Sequence, residues 1–275
     1  MEKVKLIIDN SINKIIMDTA NDDKIRDLER RHENKTHFIP KKYRVFSGLL
    51  QSMNIKFGDF IELLFQEIVN HSSEYILDEL SGLSSGKFKI SVTNDNLIDE
   101  YITNRQTISS TDEELERDFN LLLSEINKNC IENQSKLESE YELNHDIDLF
   151  FRDGNHHYIY AEIKYNDDHD SGKFIDINRK FIKTYSYLYE KLLIRYGYNV
   201  EKFTLKPCIF FFNNQRKIGN IYVPENTNIY RGEEIFKKFF RDIKYEDIDN
   251  YLINISENKE IVKKFDDLYD KVMKK

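Results

Sequence analysis

Between His145 and Tyr165 the chain reads HDIDLFFRDGNHHYIYAEIKY. Two apolar runs flank RDGNH, a turn-forming sequence, and together they predict a β-hairpin. Yet Asp146, Asp148, Glu162 and Lys164 stand inside those runs, and each is costly to bury alone. Any fold of this chain must place them where something offsets that cost.

Hairpin register decides whether they meet. Side chains alternate faces along a strand, so Tyr158, Tyr160, Glu162 and Lys164 share a face, as do Asp146, Asp148 and Phe150 on the other run. Setting Asp148 opposite Glu162 also sets Asp153 opposite His157. Gly154, Asn155 and His156 are then left as a three-residue loop, a common hairpin connection when it contains glycine. A two- or four-residue loop would separate the carboxylates onto opposite faces. In the three-residue register two carboxylates and a lysine gather at one end of an apolar hairpin. Hard oxygen ligands of this kind are what Mg²⁺ takes, and an adjacent lysine can stabilise charge developing on a phosphate. The same spacing also suits a structural salt bridge from Lys164 to either carboxylate. Both readings stand on the residues alone.

The flanking sequence is α/β. Val4, Ile7, Ile8, Ile12, Ile15 and Ile16 follow helical spacing, and Pro40 precedes the basic amphipathic KKYRVFSGLLQSM. GDFIELLFQEIVNH is expected to be a helix with Phe60, Leu63, Leu64 and Ile68 on one side. Ser84, Ser85 and Gly86 read as a loop, and Thr111 with Glu114 as a capping box opening a further helix. KLESEYEL alternates like a half-exposed strand. Helical spacing returns at Phe174, Ile177, Phe181, Tyr185, Leu188, Leu192 and Tyr196, followed by the strand KPCIFFF and C-terminal helices. The expectation is a mixed sheet flanked by helices, with a mainly helical region over residues 1–110 and the sheet-bearing core over 111–275.

The longest apolar run, Cys208 to Phe212, is far too short for a membrane span, and MEKVKLIIDNSINKI lacks a signal-peptide pattern. A cytoplasmic protein with no membrane partner is expected. Cys130 and Cys208 stand alone, suggesting neither a disulfide framework nor a zinc knuckle. The formal net charge is −8, yet Lys173–Lys244 holds 15 Lys+Arg against 7 Asp+Glu. An acidic chain can therefore still present a cationic face.

Asp148 on one strand, Glu162-Ile163-Lys164 on the next, then a helix and a further strand, resembles the PD-(D/E)XK nuclease superfamily. The α-β-β-β-α-β order over about residues 110–215 matches its restriction-endonuclease-like core. DSGKFIDINRKFIKTY and YRGEEIFKKFF resemble type II restriction endonucleases, most like the TdeIII type. Ile147 stands where a proline is usually written, and Phe236 is the nearest substitute for an expected tryptophan.

That resemblance implies Asp148 and Glu162 as Mg²⁺ ligands, with the Ile163 carbonyl as a third and Lys164 beside the attacking water. Glu62, four residues after Gly58, fits an additional helical glutamate used by many relatives; an ordinary solvated position fits it too. Asp146 reads as a supporting or exposed group. Lys173, Arg179, Lys180 and Lys183 are candidates for phosphates. Asn213, Asn214, Gln215, Arg216 and Lys217 are candidates for base edges, since Asn and Gln suit adenine and Arg suits guanine. Arg231 is either a DNA contact or structural. His156, His157 and His169 form no ligand pattern.

The implied function is a Mg²⁺-dependent type II restriction endonuclease that hydrolyses double-stranded DNA at a short specific sequence. It would act as a homodimer, beside a cognate DNA methyltransferase. The alternatives are a repair or mobile-element nuclease, a non-catalytic DNA-binding module, and a structural protein whose charged group is an ion pair.

Overall fold

The structure is a computed structural model describing residues 2–82, 86–132, 140–167, 171–215 and 219–274. The chain divides into two compact units, Met1–Leu64 with Phe239–Lys275, and Phe65–Lys238.

The first unit is helical: α1 (Glu2–Thr19), α2 (Asp22–Arg31) and α3 (Lys41–Asn70) as far as Leu64, with α9 (Tyr245–Ser256) and α10 (Lys259–Met273) from the other end of the chain. Ile25, Leu28, Val45, Leu49 and Met53 bury against Leu268 and Val272. Polar ties join α1 to α9 and α10, Tyr251 Oη donating to Asp9 and Lys264 Nζ to Asn13. The division expected near residue 110 is therefore not where the packing divides. The amphipathic stripe of α10 says that it needs a partner, but not that the partner lies more than two hundred residues upstream.

The second unit carries the sheet. Its elements are the end of α3, β1 (Ile76–Leu77), β2 (Gly86–Ser91), α4 (Val92–Arg105), α5 (Asp112–Glu132), β3 (Glu140–His145), β4 (Leu149–Arg152), β5 (His157–Lys164), α6 (Ser171–Arg195), β6 (Thr204–Phe211), α7 (Glu225–Asn228), β7 (Ile229–Arg231) and most of α8 (Glu233–Phe239). Five strands run in the order β1-β4-β5-β6-β7. β4 and β5 are antiparallel; β5, β6 and β7 are parallel. Parallel neighbours need a long crossover, and α6 supplies it between β5 and β6.

Leu149 pairs with Ala161 and Arg152 with Tyr158, the register that sets Asp148 opposite Glu162. The three-residue loop forms as expected: Asp153 N donates to His157 O, and His156 takes a left-handed φ of 62°. Its handedness suits the turn geometry of such hairpins.

KLESEYEL departs from expectation. Its described part, β3, pairs with β2 in a separate two-stranded ribbon rather than joining the main sheet. The chain leaves the ribbon at His145 and enters the main sheet at Leu149, so Asp146, Ile147 and Asp148 form the crossing between sheets. The edge next to β4 is filled by β1 instead, and Ser84 and Ser85 lie outside the described residues.

Tyr158 and Tyr160 face α6, where Tyr160 stacks on Phe181 at 5.3 Å. On the other face Phe210 meets Phe65 of α3 at 5.8 Å, and Phe65 meets Phe236 of α8 at 5.9 Å. Tyr185, Leu188 and Leu192 bury along α6 as their spacing predicts. The capping box also forms, Glu114 Oε2 accepting from Thr111 N and Thr111 Oγ1 from Glu114 N. Leu63 does not join the buried stripe of α3 and is exposed, while Ile61 and Phe65 are fully buried.

Gly232 closes β7 with φ +36°, and a Cβ there would lie 2.9 Å from the Asn214 backbone. Neither contact nor φ suits an L side chain. Gly232→Ala is expected to cost on the order of 1–3 kcal/mol, lowering Tm by several degrees in thermal melting; an unchanged Tm would contradict this geometry.

Candidate active site

Asp148, Glu162 and Lys164 come together at the C-terminal end of β5. Lys164 Nζ lies 2.7 Å from Glu162 Oε1 and 3.2 Å from Asp148 Oδ2, and it donates to Ile163 O at 2.8 Å. One ammonium thus sits among three oxygens. Ile163 N donates to Asp148 Oδ2 at 2.8 Å, which fixes that carboxylate against the strand. Asp148 and Glu162 are both buried, at 4% and 1% exposure, whereas the Lys164 side chain is 22% exposed.

The two carboxylates are held differently. Burial and then the neighbouring Glu162 raise the Asp148 carboxyl, to about 6, against the opposing pull of Lys164. Burial also pushes Glu162 up, but Lys164 and His145 outweigh it and hold Glu162 below the usual carboxylate range. Two close anions in one dry site split in this way because ionising both is expensive.

Three residues around this group were not foreseen. His145, at the end of β3, places Nε2 3.3 Å from Glu162 Oε2. Burial disfavours its imidazolium, yet Glu162 and then Asp148 raise its pKa. Tyr160 Oη donates to the same Glu162 oxygen at 3.0 Å, and Gln66 Nε2 of α3 donates to the Asp148 carbonyl at 2.9 Å. Tyr160 could have been found, since it shares a strand face with Glu162 two residues away. His145 and Gln66 come from a separate ribbon and a distant helix, and no spacing signals them.

The oxygen set fits a hard divalent cation. Two carboxylates and a carbonyl already converge on one positive charge, and such ligands are those of Mg²⁺. Among the described residues no group of three or more His, Cys, Asp or Glu could hold a metal, so any such ion would need the carbonyl or water as well. Glu62 belongs to the first unit and is half-buried. Asp146 is exposed.

The cationic residues expected for DNA divide sharply. Lys183 is buried, with Nζ 2.5 Å from Asp95 and 2.9 Å from Asp99 of α4. Arg179 pairs with Asp99 at 3.0 Å and Lys180 with Asp176 at 2.9 Å. Lys173 is exposed. The side of α6 away from its apolar stripe is thus partly covered by α4, a contact that local spacing does not reveal. Arg231 is buried, pairs with Glu225 and with Asp167 at 3.3 Å, and its guanidinium lies 5.0 Å from the Phe211 ring centroid.

Asn213 Oδ1 accepts from Gln215 N, making a local turn, and Asn214 Oδ1 accepts from Glu233 N at the start of α8. Asn214 and Gln215 are exposed. Arg216, Lys217 and His169 lie outside the described residues.

A family model described as "Type II restriction endonuclease, HinfI" matches residues 1–256. The chain is 46% identical over 274 residues to the Type II restriction enzyme HinfI of Haemophilus influenzae, covering 99% of this chain and 98% of that protein. The family matched is thus HinfI, where the segments quoted above resembled the TdeIII type. No solved structure matches the chain.

The raised Asp148 carboxyl carries a stability consequence. A folded pKa near 6 against an ordinary value of 3.8 means that the fold pays to keep Asp148 ionised at neutral pH. That cost is absent below the unfolded pKa, grows as pH rises between the two values, and reaches on the order of 1–3 kcal/mol above both. Asp148→Asn removes it, so metal-free protein in EDTA at pH 7.5 should melt several degrees higher than wild type. A lower Tm would show that the Lys164 attraction exceeds the combined burial and repulsion.

Proposed function

Because the chain belongs to the HinfI family of type II restriction endonucleases, we propose that its sequence-specific cleavage of double-stranded DNA runs through a PD-(D/E)XK centre formed by Asp148, Glu162 and Lys164. The observation that carries this reading is the convergence of Asp148 Oδ2, Glu162 Oε1 and Ile163 O on a single cation, Lys164 Nζ. Endonucleolytic cleavage of DNA follows from the family; the assignment to these residues is our proposal.

Asp148, Glu162 and the Ile163 carbonyl would hold Mg²⁺. The chemistry it supplies there is Lewis-acid polarisation of a phosphate oxygen and activation of water. Tyr160 and His145 keep the second Glu162 oxygen engaged, so that Oε1 faces Lys164. The Asp148 carboxylate is anchored by the Ile163 N–H. Lys164 brings an ammonium to the scissile phosphate, where it would stabilise negative charge that grows in the transition state.

Phosphate contacts are assigned to Lys173, Lys180 and Arg179, and base reading to Asn213, Asn214, Gln215, Arg216 and Lys217. Lys183 and Arg231 are left out because both are buried in ion pairs. Cutting both strands needs two centres, which a two-fold homodimer supplies on a palindromic site. Such an activity in a cell's own cytoplasm calls for a methyltransferase that protects the same sequence. Among the described residues no helix is long and apolar enough to cross a membrane.

Lys164→Ala tests the assignment. Without divalent ions the variant should melt lower than wild type, because two buried carboxylates lose their shared counter-charge. With Ca²⁺ present its fold and duplex binding should be retained. In Mg²⁺ single-turnover cleavage of plasmid DNA should fall about 10²–10³-fold. Cleavage at the wild-type rate would sink the catalytic role. Loss of binding in step with cleavage, even in Ca²⁺, would make Lys164 half of a structural ion pair. Wild-type digestion giving a smear rather than discrete fragments would favour a general nuclease.

A further inference from the structure

Between Glu33 and Asp59 the sequence has no carboxylate, although Asp and Glu outnumber Lys and Arg by 49 to 41 over the chain. That stretch holds Lys35, Lys41, Lys42 and Arg44, directly after Arg30 and Arg31 at the end of α2. Its first residues, as far as Pro40, form the turn from α2 into α3. Arg44 ties the turn together, its guanidinium donating to the His32 carbonyl at 3.3 Å and the Lys35 carbonyl at 3.4 Å. Ile39 N donates to His37 Nδ1 at 2.9 Å, and the His37 ring stacks on Phe38.

Three features of this turn are unfavourable for an isolated protein. Phe38 is 92% exposed, a large aromatic held at the tip beside the His37 ring. α3 opens on Lys41 and Lys42 with no acidic residue in its first turn, whereas α2, α4 and α5 all place acids there. Cations at a helix N-terminus oppose the helix dipole. Burial and the surrounding cations Lys35, Arg44, His37 and Lys41 together lower the His32 pKa, so positive potential accumulates in the turn. Arg30 and Arg31 both answer Asp27, and Lys41 lies 3.8 Å from Glu33. Lys35 and Lys42, both exposed, pair with no carboxylate among the described residues.

We infer that the α2–α3 turn is a DNA-docking element, in which Lys35 and Lys42 meet backbone phosphates and Phe38 enters between base steps. A polyanion removes all three costs at once. Phosphates neutralise the lysines and favour the helix N-terminus, and a base step covers the exposed ring. An aromatic projecting from a cationic surface is the arrangement by which proteins unstack and bend a duplex. The inference rests on the proposed reading that this chain acts on double-stranded DNA, and it adds a contact separate from the Asp148 centre.

The test uses full-length protein and a fluorescent duplex that the wild type cuts, with Ca²⁺ replacing Mg²⁺ to measure binding alone. Lys35→Ala/Lys42→Ala should reduce the slope of log affinity against log salt by about 2, one for each lost phosphate contact. Phe38→Ala should keep the wild-type slope, weaken binding by about tenfold, and abolish the fluorescence rise of 2-aminopurine placed across the bound region. Both variants should melt within a degree or two of wild type, since all three side chains are exposed. A double-lysine variant with the wild-type slope, or Phe38→Ala with the full 2-aminopurine signal, overturns the inference. So does lysine-dependent binding to phosphatidylserine vesicles with DNA affinity unchanged, which would assign the turn to a lipid surface. A wild type that binds no duplex at all would instead fail the reading on which the inference stands.

Discussion

Two buried carboxylates and one ammonium set the terms for this fold. Asp148 and Glu162 are almost fully buried and close enough to repel, and Lys164 between them favours the ionised form of both. The ion group also draws in a backbone carbonyl, a tyrosine and a histidine. Such a cluster is poor value as a stability device, because well-packed apolar side chains often do as well or better. On our proposed reading it is an oxygen cradle kept in shape by a built-in cation, ready for a divalent ion and a phosphate.

The sheet explains how the cradle is held. Asp148 lies where the chain crosses from the β2–β3 ribbon into the main sheet, and Glu162 and Lys164 end the strand beside it. α6 returns the chain to β6 in parallel with β5, so the loops after both strands emerge at the same end of the sheet. Open α/β sheets place their ligand sites at that carboxyl edge. The Asp167–Arg231 pair buried there joins the loop after β5 to the end of β7.

Local rules made the hairpin legible. The two-residue period sets the faces and a glycine-bearing three-residue loop sets the register, so the meeting of Asp148 with Glu162 is legible in the sequence. The capping box and the stripe on α6 were legible for the same reason. What failed was non-local. The ion pairs of Lys183 are not legible, because its partners Asp95 and Asp99 stand on another helix some ninety residues earlier. The ribbon strand β3 looked like a member of the main sheet because alternation reports a half-buried strand but not its neighbour. His145 and Gln66 escaped notice because they reach the site from elements that only tertiary packing brings near.

The most direct measurement is single-turnover cleavage of plasmid DNA in Mg²⁺ by Glu162→Gln, a change that keeps the shape of the side chain and removes its charge. The account predicts an intact fold, duplex binding in Ca²⁺ equal to or tighter than wild type, and a cleavage rate lower by about 10²-fold or more. A Glu162→Gln variant that binds normally and cuts within about threefold of the wild-type rate would contradict it, because an oxygen cradle that works without its most strongly ionised carboxylate is not the catalytic centre.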